Sequence, residues 1–228
     1  MALLLSIESS TTVCSVALHQ SGQLLASKEN HIPQSTASAL MPMIDEVCKL
    51  AEKTPVDLQG VIISEGPGSY TGLRIGVATA KGICFTLQIP LVAINTLHLL
   101  AYQFKKSNAV IDDALLCPML DARRMEVYCM LLDNQLNGVK PTEAKVIDTT
   151  SFQEELAYQS IHFFGNGAAK CKETINHPGA HFHEGLIPLA QSLGELGFKK
   201  FTNGHTEDLA HFEPYYLKDF MIRKPNTV

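Results

Sequence analysis

Gly66-Pro67-Gly68-Ser69-Tyr70-Thr71-Gly72-Leu73-Arg74-Ile75-Gly76 is the stretch on which the reading of this chain turns. It follows the short apolar run Val61-Ile62-Ile63 and precedes a pattern that stays helical to about Leu87. It therefore marks a buried strand, a glycine-rich break and a helix. Glycines at such a junction leave backbone N–H groups open at the positive end of the helix, where an anion can sit. The string has neither the Gly-Lys-Ser/Thr of a P-loop nor the spacing of a dinucleotide fingerprint. A phosphate site and a structural turn thus both stand as readings of Gly68 and Ser69. Gly72, Gly76 and Ala80 also fall four apart on one helical face, small enough for another helix to approach closely, within the core or across an interface.

Upstream, three short runs at residues 3–8, 13–19 and 23–28 are separated by turn signals and predict an antiparallel meander. Over residues 38–51, Leu40, Ile44, Val47 and Ala51 recur at steps of four, three and four, which predicts an amphipathic helix with Pro42 in its first turn. A further strand at 91–94 completes β-β-β-α-β-α-β, a mixed sheet with flanking helices and hence an α/β domain. The polar Lys105-Lys106-Ser107-Asn108 reads as a linker, and the order then starts again more sparsely. Strands at 115–120 and 126–132 surround Asp121-Ala122-Arg123-Arg124. A helix at 151–159, the strand His162-Phe163-Phe164, the turn Gly165-Asn166-Gly167 and a helix at 188–199 follow. Two lobes are expected, residues 1–106 and a reduced 107–228, with the aromatic segment Glu213-Pro214-Tyr215-Tyr216-Leu217-Lys218 packed back on a lobe.

Composition narrows the classes. The 228 residues are 46% apolar and 18% charged, which supports a packed core and excludes disorder. No apolar run approaches the roughly 18 residues of a membrane span, and the start lacks a signal-peptide pattern, so a cytoplasmic protein without membrane contact is expected. Cys14, Cys48, Cys84, Cys117, Cys129 and Cys171 are scattered without a Cys-x-x-Cys pair and read as buried thiols of a reducing compartment. With 18 basic against 23 acidic side chains and no basic cluster, the chain is not one that grips nucleic acid by itself.

Glu8, followed by Ser9-Ser10-Thr11-Thr12, stands where actin-like and sugar-kinase-like ATPases resemble one another in presenting an acid and a hydroxyl-rich hairpin to Mg-ATP. Glu8, Ser10, Gly68 and Ser69 are therefore the candidate nucleotide residues. The second lobe opens on Asp121-Ala122-Arg123-Arg124, and arginines do not admit phosphate to the backbone as glycines do, so the clasp reads as half built. His177, His181 and His183 suggest a metal motif, but Pro178-Gly179 opposes the helix that an i, i+4 pair needs, and a solvated loop is expected.

Ile7-Glu8-Ser9-Ser10-Thr11, the glycine string and Asp121-Ala122-Arg123-Arg124-Met125-Glu126-Val127-Tyr128 together resemble the bacterial TsaB (YeaZ) family. Gly165-Asn166-Gly167-Ala168 and Pro214-Tyr215-Tyr216-Leu217 are weaker echoes. The resemblance implies an actin-like ATPase (ASKHA, ribonuclease H-like) fold of two lobes with mixed sheets, the C-terminal lobe reduced. It implies a non-catalytic part in making N6-threonylcarbamoyladenosine at position 37 of tRNA, through support of the TsaD subunit. The ATPase TsaE joins that pair, a homodimer forms when the chain is alone, and tRNA is reached only through the complex. No intrinsic cofactor is implied, and ATP or ADP would belong at the partner interface. Homologous lobes pair through like faces, so Leu40, Ile44, Val47, Gly72, Gly76 and Ala80 are expected to meet the partner's helices, and Arg74, Arg123 and Arg124 its acidic groups or a nucleotide. On this view Gly76→Leu weakens TsaD binding and leaves the monomer folded. Two enzyme readings compete: a metal-dependent, glycoprotease-like peptidase using His177, His181 and His183, and a small-molecule kinase of the actin-like superfamily.

Overall fold

The computed structural model describes residues 2–107 and 113–218. The N-terminal meander forms as expected, with β1 (Leu3–Glu8) antiparallel to β2 (Cys14–Gln20) and β2 to β3 (Gln23–Asn30). Then come α1 (Thr36–Leu50), β4 (Gly60–Gly66), α2 (Tyr70–Leu87), β5 (Leu91–Asn95) and α3 (Thr96–Ser107). β4 runs parallel to β1 and β5 parallel to β4, giving a five-stranded mixed sheet in the order β3-β2-β1-β4-β5. The second part has β6 (Leu115–Asp121), β7 (Glu126–Leu132), β8 (Gly138–Val146), the short α4 (Gln153–Leu156), β9 (Ile161–Phe164), β10 (Ala180–His183) and α5 (Ala190–Thr202). Its sheet order is β10-β9-β6-β7-β8.

The apolar pattern dictates the layers. Alternate residues of the central strands, such as Leu5, Ile7, Val61 and Ile63, meet Leu40, Ile44 and Val47 of α1 and Val77, Ala80 and Cys84 of α2 on one face. On the other face Leu4, Ile62, Val92 and Ile94 meet Leu99 of α3 and Leu193 of α5. Each buried Leu, Ile or Val among them contributes about 1.5–3 kcal/mol. The opposite side of α3, with Leu97, Leu100, Ala101 and Phe104, packs on Leu116, Leu120, Leu132 and Phe164 of the second sheet. α3 is thus the layer between the sheets.

The structure corrects several expectations. Lys105 and Lys106 are not linker: they close the last turn of α3, and Lys106 pairs with Glu195 of α5 at 2.7 Å. Asn95 starts that helix, its Oδ1 accepting from the N–H groups of Leu97 (2.9 Å) and His98 (3.3 Å). Asn108 lies outside the described residues. The division at 106/107 is not clean, because α5 returns to the first sheet, with Leu193 buried against it and Phe201 packed alongside. α1 begins at Thr36, so Pro42 sits in its interior; Pro42 and Ser38 are both exposed, and the carbonyl that loses its donor faces water. The expected loop at His181 and His183 is the edge strand β10. Among the described residues no helix is long and apolar enough to cross a membrane. All six cysteines are unpaired and buried.

Candidate functional site

Glu8 ends β1 fully buried. Its Oε1 accepts from the Ser10 backbone N–H at 2.6 Å and the Ser10 hydroxyl at 2.5 Å, while Oε2 has no hydrogen-bond partner. Burial pushes the Glu8 carboxyl above the ordinary carboxylate range, against the opposing pull of the Ser10 and Ser64 hydroxyls. The glycine string closes over this turn. The Ser69 N–H donates to the Ser10 carbonyl at 2.6 Å, and the Ser9 hydroxyl donates to the Gly72 carbonyl at 2.9 Å. A Cβ on Gly68 would overlap the Ser10 carbonyl, one on Gly72 the Ser9 carbonyl, and one on Gly76 the Ser9 hydroxyl. The glycines therefore serve close approach of α2 to the β1–β2 turn.

The structure places the candidate residues Glu8, Ser10, Gly68 and Ser69 side by side, yet the group does not fit a magnesium nucleotide. Its carboxylate shows no surface to solvent, and the backbone that phosphates would approach is bonded to the chain itself. The corresponding acid of the second lobe, Asp121, is exposed, but the Lys170 ammonium binds it. Lys170 also donates to the carbonyls of Arg124 (2.6 Å) and Glu126 (2.7 Å). Arg123 and Arg124 form an exposed turn with φ of 73° and 48°.

The expected interface residues separate into two groups. Leu40, Ile44, Val47 and Ala80 are core, and Gly72 and Gly76 face Ser9, so none of these is open to a partner. The periodicity of four was read correctly and assigned to the wrong side. Arg74 is exposed, and the outer side of α2 continues with Ala78, Gly82 and Phe85, the last 71% exposed. On α1 the exposed large apolar side chains are Met41, at 55%, and Leu50 in the last turn, at 64%. On α2 the outward residues Arg74, Ala78 and Gly82 each follow Gly72, Gly76 and Ala80 by two positions, on the opposite side of the helix, and on α1 Met41 follows Leu40 by one; that offset was the available signal.

His181 and His183 come together with His162 of β9, which sequence reasoning did not connect to them. The His162 and His183 rings stack at 5.0 Å with Nδ1 and Nε2 2.7 Å apart, and the His181 ring also lies 5.0 Å from His162. Burial, with the nearby His183 and His181, pulls His162 down to about 4. Such stacked rings bond to each other, and among the described residues no three His, Cys, Asp or Glu side chains are grouped to hold a metal ion. His177 instead accepts from the Gly179 N–H within its own turn.

Two mixed sheets of matching path, an intervening helix and an acid at the end of β1 define an actin-like (ASKHA) two-lobed protein. The activator of 2-hydroxyisocaproyl-CoA dehydratase from Clostridium difficile, solved with bound ADPNP, is similar in fold, with a TM-score of 0.50 and 9% identity over 90% of this chain and 98% of that one. A family model described as TsaD, tRNA N6-adenosine threonylcarbamoyltransferase, matches residues 30–219. The tRNA threonylcarbamoyladenosine biosynthesis protein TsaB of Haemophilus influenzae is 31% identical over 231 residues, 95% of this chain and 93% of that protein. A Pseudomonas aeruginosa structure described as similar to peptidase YeaZ superposes with a TM-score of 0.84 at 25% identity, covering 96% of this chain and all of that one. The chain belongs to the TsaB family, within the wider family of that TsaD model.

Proposed function

We propose that this chain is a non-catalytic subunit in tRNA N6-threonylcarbamoyladenosine biosynthesis that binds and supports TsaD through the outer faces of α1 and α2. The observation that carries this reading is the division of labour on α2. Its inner face holds the Glu8 turn shut, and its outer face leaves Ala78, Gly82 and Phe85 uncovered beside a helix that exposes Met41. Small residues flanking an uncovered aromatic suit close helix-to-helix docking. Like faces of homologous lobes serve TsaD and a second copy of this chain alike, so the homodimer and the TsaD complex are alternatives. TsaE and tRNA join through the complex, and ATP or ADP sits at the junction with the partner, since the chain's own clasp is occupied by its backbone.

The test is co-purification with the TsaD of the same organism, followed by size-exclusion chromatography with light scattering. The expected result is a one-to-one complex that forms at the expense of the homodimer and is lost in Phe85→Glu. A wild-type chain that ignores TsaD with and without nucleotide overturns the reading.

A further inference from the structure

The segment after α5 runs back over the first lobe as a strap. The Glu207 N–H donates to the Leu91 carbonyl at 2.8 Å on the open edge of β5, and the Tyr215 N–H donates to the Glu65 carbonyl at 2.7 Å. The Lys81 ammonium of α2 donates to the Phe212 carbonyl at 2.9 Å and the Ala210 carbonyl at 3.4 Å. Lys218 pairs with Glu126 of the second lobe. So fixed, the strap lays the Tyr216 ring on Tyr70 in the first turn of α2, with centroids 4.9 Å apart. Tyr70 in turn carries Arg74, whose guanidinium lies 5.5 Å from the ring centroid and donates to the Tyr70 hydroxyl at 3.4 Å.

The result is a built platform at one end of α2's outer face. Arg74 is exposed and forms no salt bridge among the described residues, whereas Lys81 is engaged by the strap carbonyls and the strap's own Lys218 by Glu126. An arginine held by a neighbouring aromatic ring and its hydroxyl has lost part of its rotamer freedom already and keeps further N–H donors for a partner. Tyrosine and arginine also dominate the energetics of protein interfaces. We propose that Arg74, seated on Tyr70 and backed by Tyr216 of the strap, anchors the partner by gripping one of its carboxylate side chains. Charge favours carboxylate over polyphosphate: among the described residues Arg74 is the cation here without a salt bridge, and Glu213 of the strap adds a negative charge close to Tyr216. The inference rests on the proposal that α2's outer face meets TsaD, and adds what is read there and why the C-terminal segment is needed to read it.

Calorimetric titration of the full chain with TsaD at 50 and 300 mM NaCl tests it. Arg74→Glu is expected to weaken binding about 100-fold and Arg74→Lys about tenfold, because an ammonium keeps the charge and loses the planar fork. Tyr216→Leu should cost about fivefold with TsaD contacts elsewhere intact. The salt dependence of wild-type affinity should shrink in Arg74→Gln. Melting temperatures of the exposed Arg74 variants should match wild type. If wild type binds and Arg74→Glu binds within twofold of it, the anchor is refuted while the TsaD interface stands. If wild type does not bind, the interface falls and the anchor with it. ATP titrated onto the chain alone with a saturating signal that Arg74→Gln abolishes would reassign the site to phosphate and overturn the carboxylate.

Discussion

The two sheets follow one path, 3-2-1-4-5 in the first lobe and 8-7-6-9-10 in the second, and differ in what is attached to them. In the first lobe a helix of 15 residues joins β3 to β4 and one of 18 joins β4 to β5. At the same places the second lobe has four residues of helix and a three-residue 3-10 turn. The acids at the ends of β1 and β6 also diverge, Glu8 sealed on Ser10 and Asp121 exposed against Lys170. Both acids are occupied, one by burial and one by an ion pair. The sheets share one plan, and the helices of the first lobe supply an outer surface that the second lobe lacks the helices to build.

The largest expected effect breaks the first lobe. Gly76→Leu drives a side chain into Ser9 at the β1–β2 turn and should cost about 3 kcal/mol, contrary to the folded monomer that the sequence reading expected. Gly82, two turns further along α2, has nothing within 4 Å of an added Cβ, so Gly82→Leu should leave the urea midpoint unchanged. Equal midpoints for the two variants would mean that α2 does not clamp the turn.

Next in size is the buried acid. Glu8→Ala strands the Ser10 N–H and hydroxyl and should cost about 2–3 kcal/mol. Glu8→Gln keeps the acceptor. Because the folded carboxyl holds its proton to higher pH than the unfolded one, its contribution is complete below about pH 4.5 and is lost as the pH rises through the folded value. Glu8→Gln should therefore melt at or above the wild-type temperature at pH 8 and close to it at pH 4. A large loss of stability in Glu8→Gln at pH 8 would show that the charged form is required.

The strands of the first meander, α2 and the repetition between lobes were legible because alternation, helical spacing and turn residues agree at each of them. β8 was not, since Lys140, Pro141, Thr142 and Glu143 on an edge strand show no apolar alternation. α3 had a readable pattern in Leu97, Leu100, Ala101 and Phe104, but its two lysines were weighed as linker rather than as the cations that favour a helix C-terminus. At the site, spacing identified which residues of α1 and α2 share a face. It could not say whether that face points inward, because a stripe of small residues suits a sheet turn and a partner helix equally well. Lys170 and Tyr216 reach their partners from 49 and 146 residues away, a distance no local pattern carries.

A smaller effect is the response of the second sheet to pH. His162 is held neutral in the second sheet with a value of about 4, whereas in the unfolded chain it titrates near 6.5. Between these values the unfolded state binds more protons, so stability is complete above pH 6.5 and declines as the pH falls toward 4. Circular dichroism melts at pH 7.5 and 5.0 should show the loss, and His162→Phe, beside Phe104 and the His183 ring, should reduce it. An unchanged slope in His162→Phe would assign the titration elsewhere.

The smallest effect closes the comparison. Asp121 occupies in the second lobe the position of Glu8 in the first, yet its side chain is exposed and its ion pair with Lys170 lies in water's reach. An exposed pair is worth about 0–1 kcal/mol, and Lys170 keeps the Arg124 and Glu126 carbonyls when Asp121 is removed. The Asp121 carboxylate also accepts from the Arg123 N–H at 2.9 Å, which helps hold the turn where two arginines adopt positive φ. Asp121→Ala should thus lower the melting temperature by only a degree or two and loosen the Arg123-Arg124 turn, visible as faster amide exchange at residues 122–126. If it instead destabilised the chain as much as Glu8→Ala, the two acids would be equivalent structural pins and the asymmetry between the lobes would lie in the helices alone.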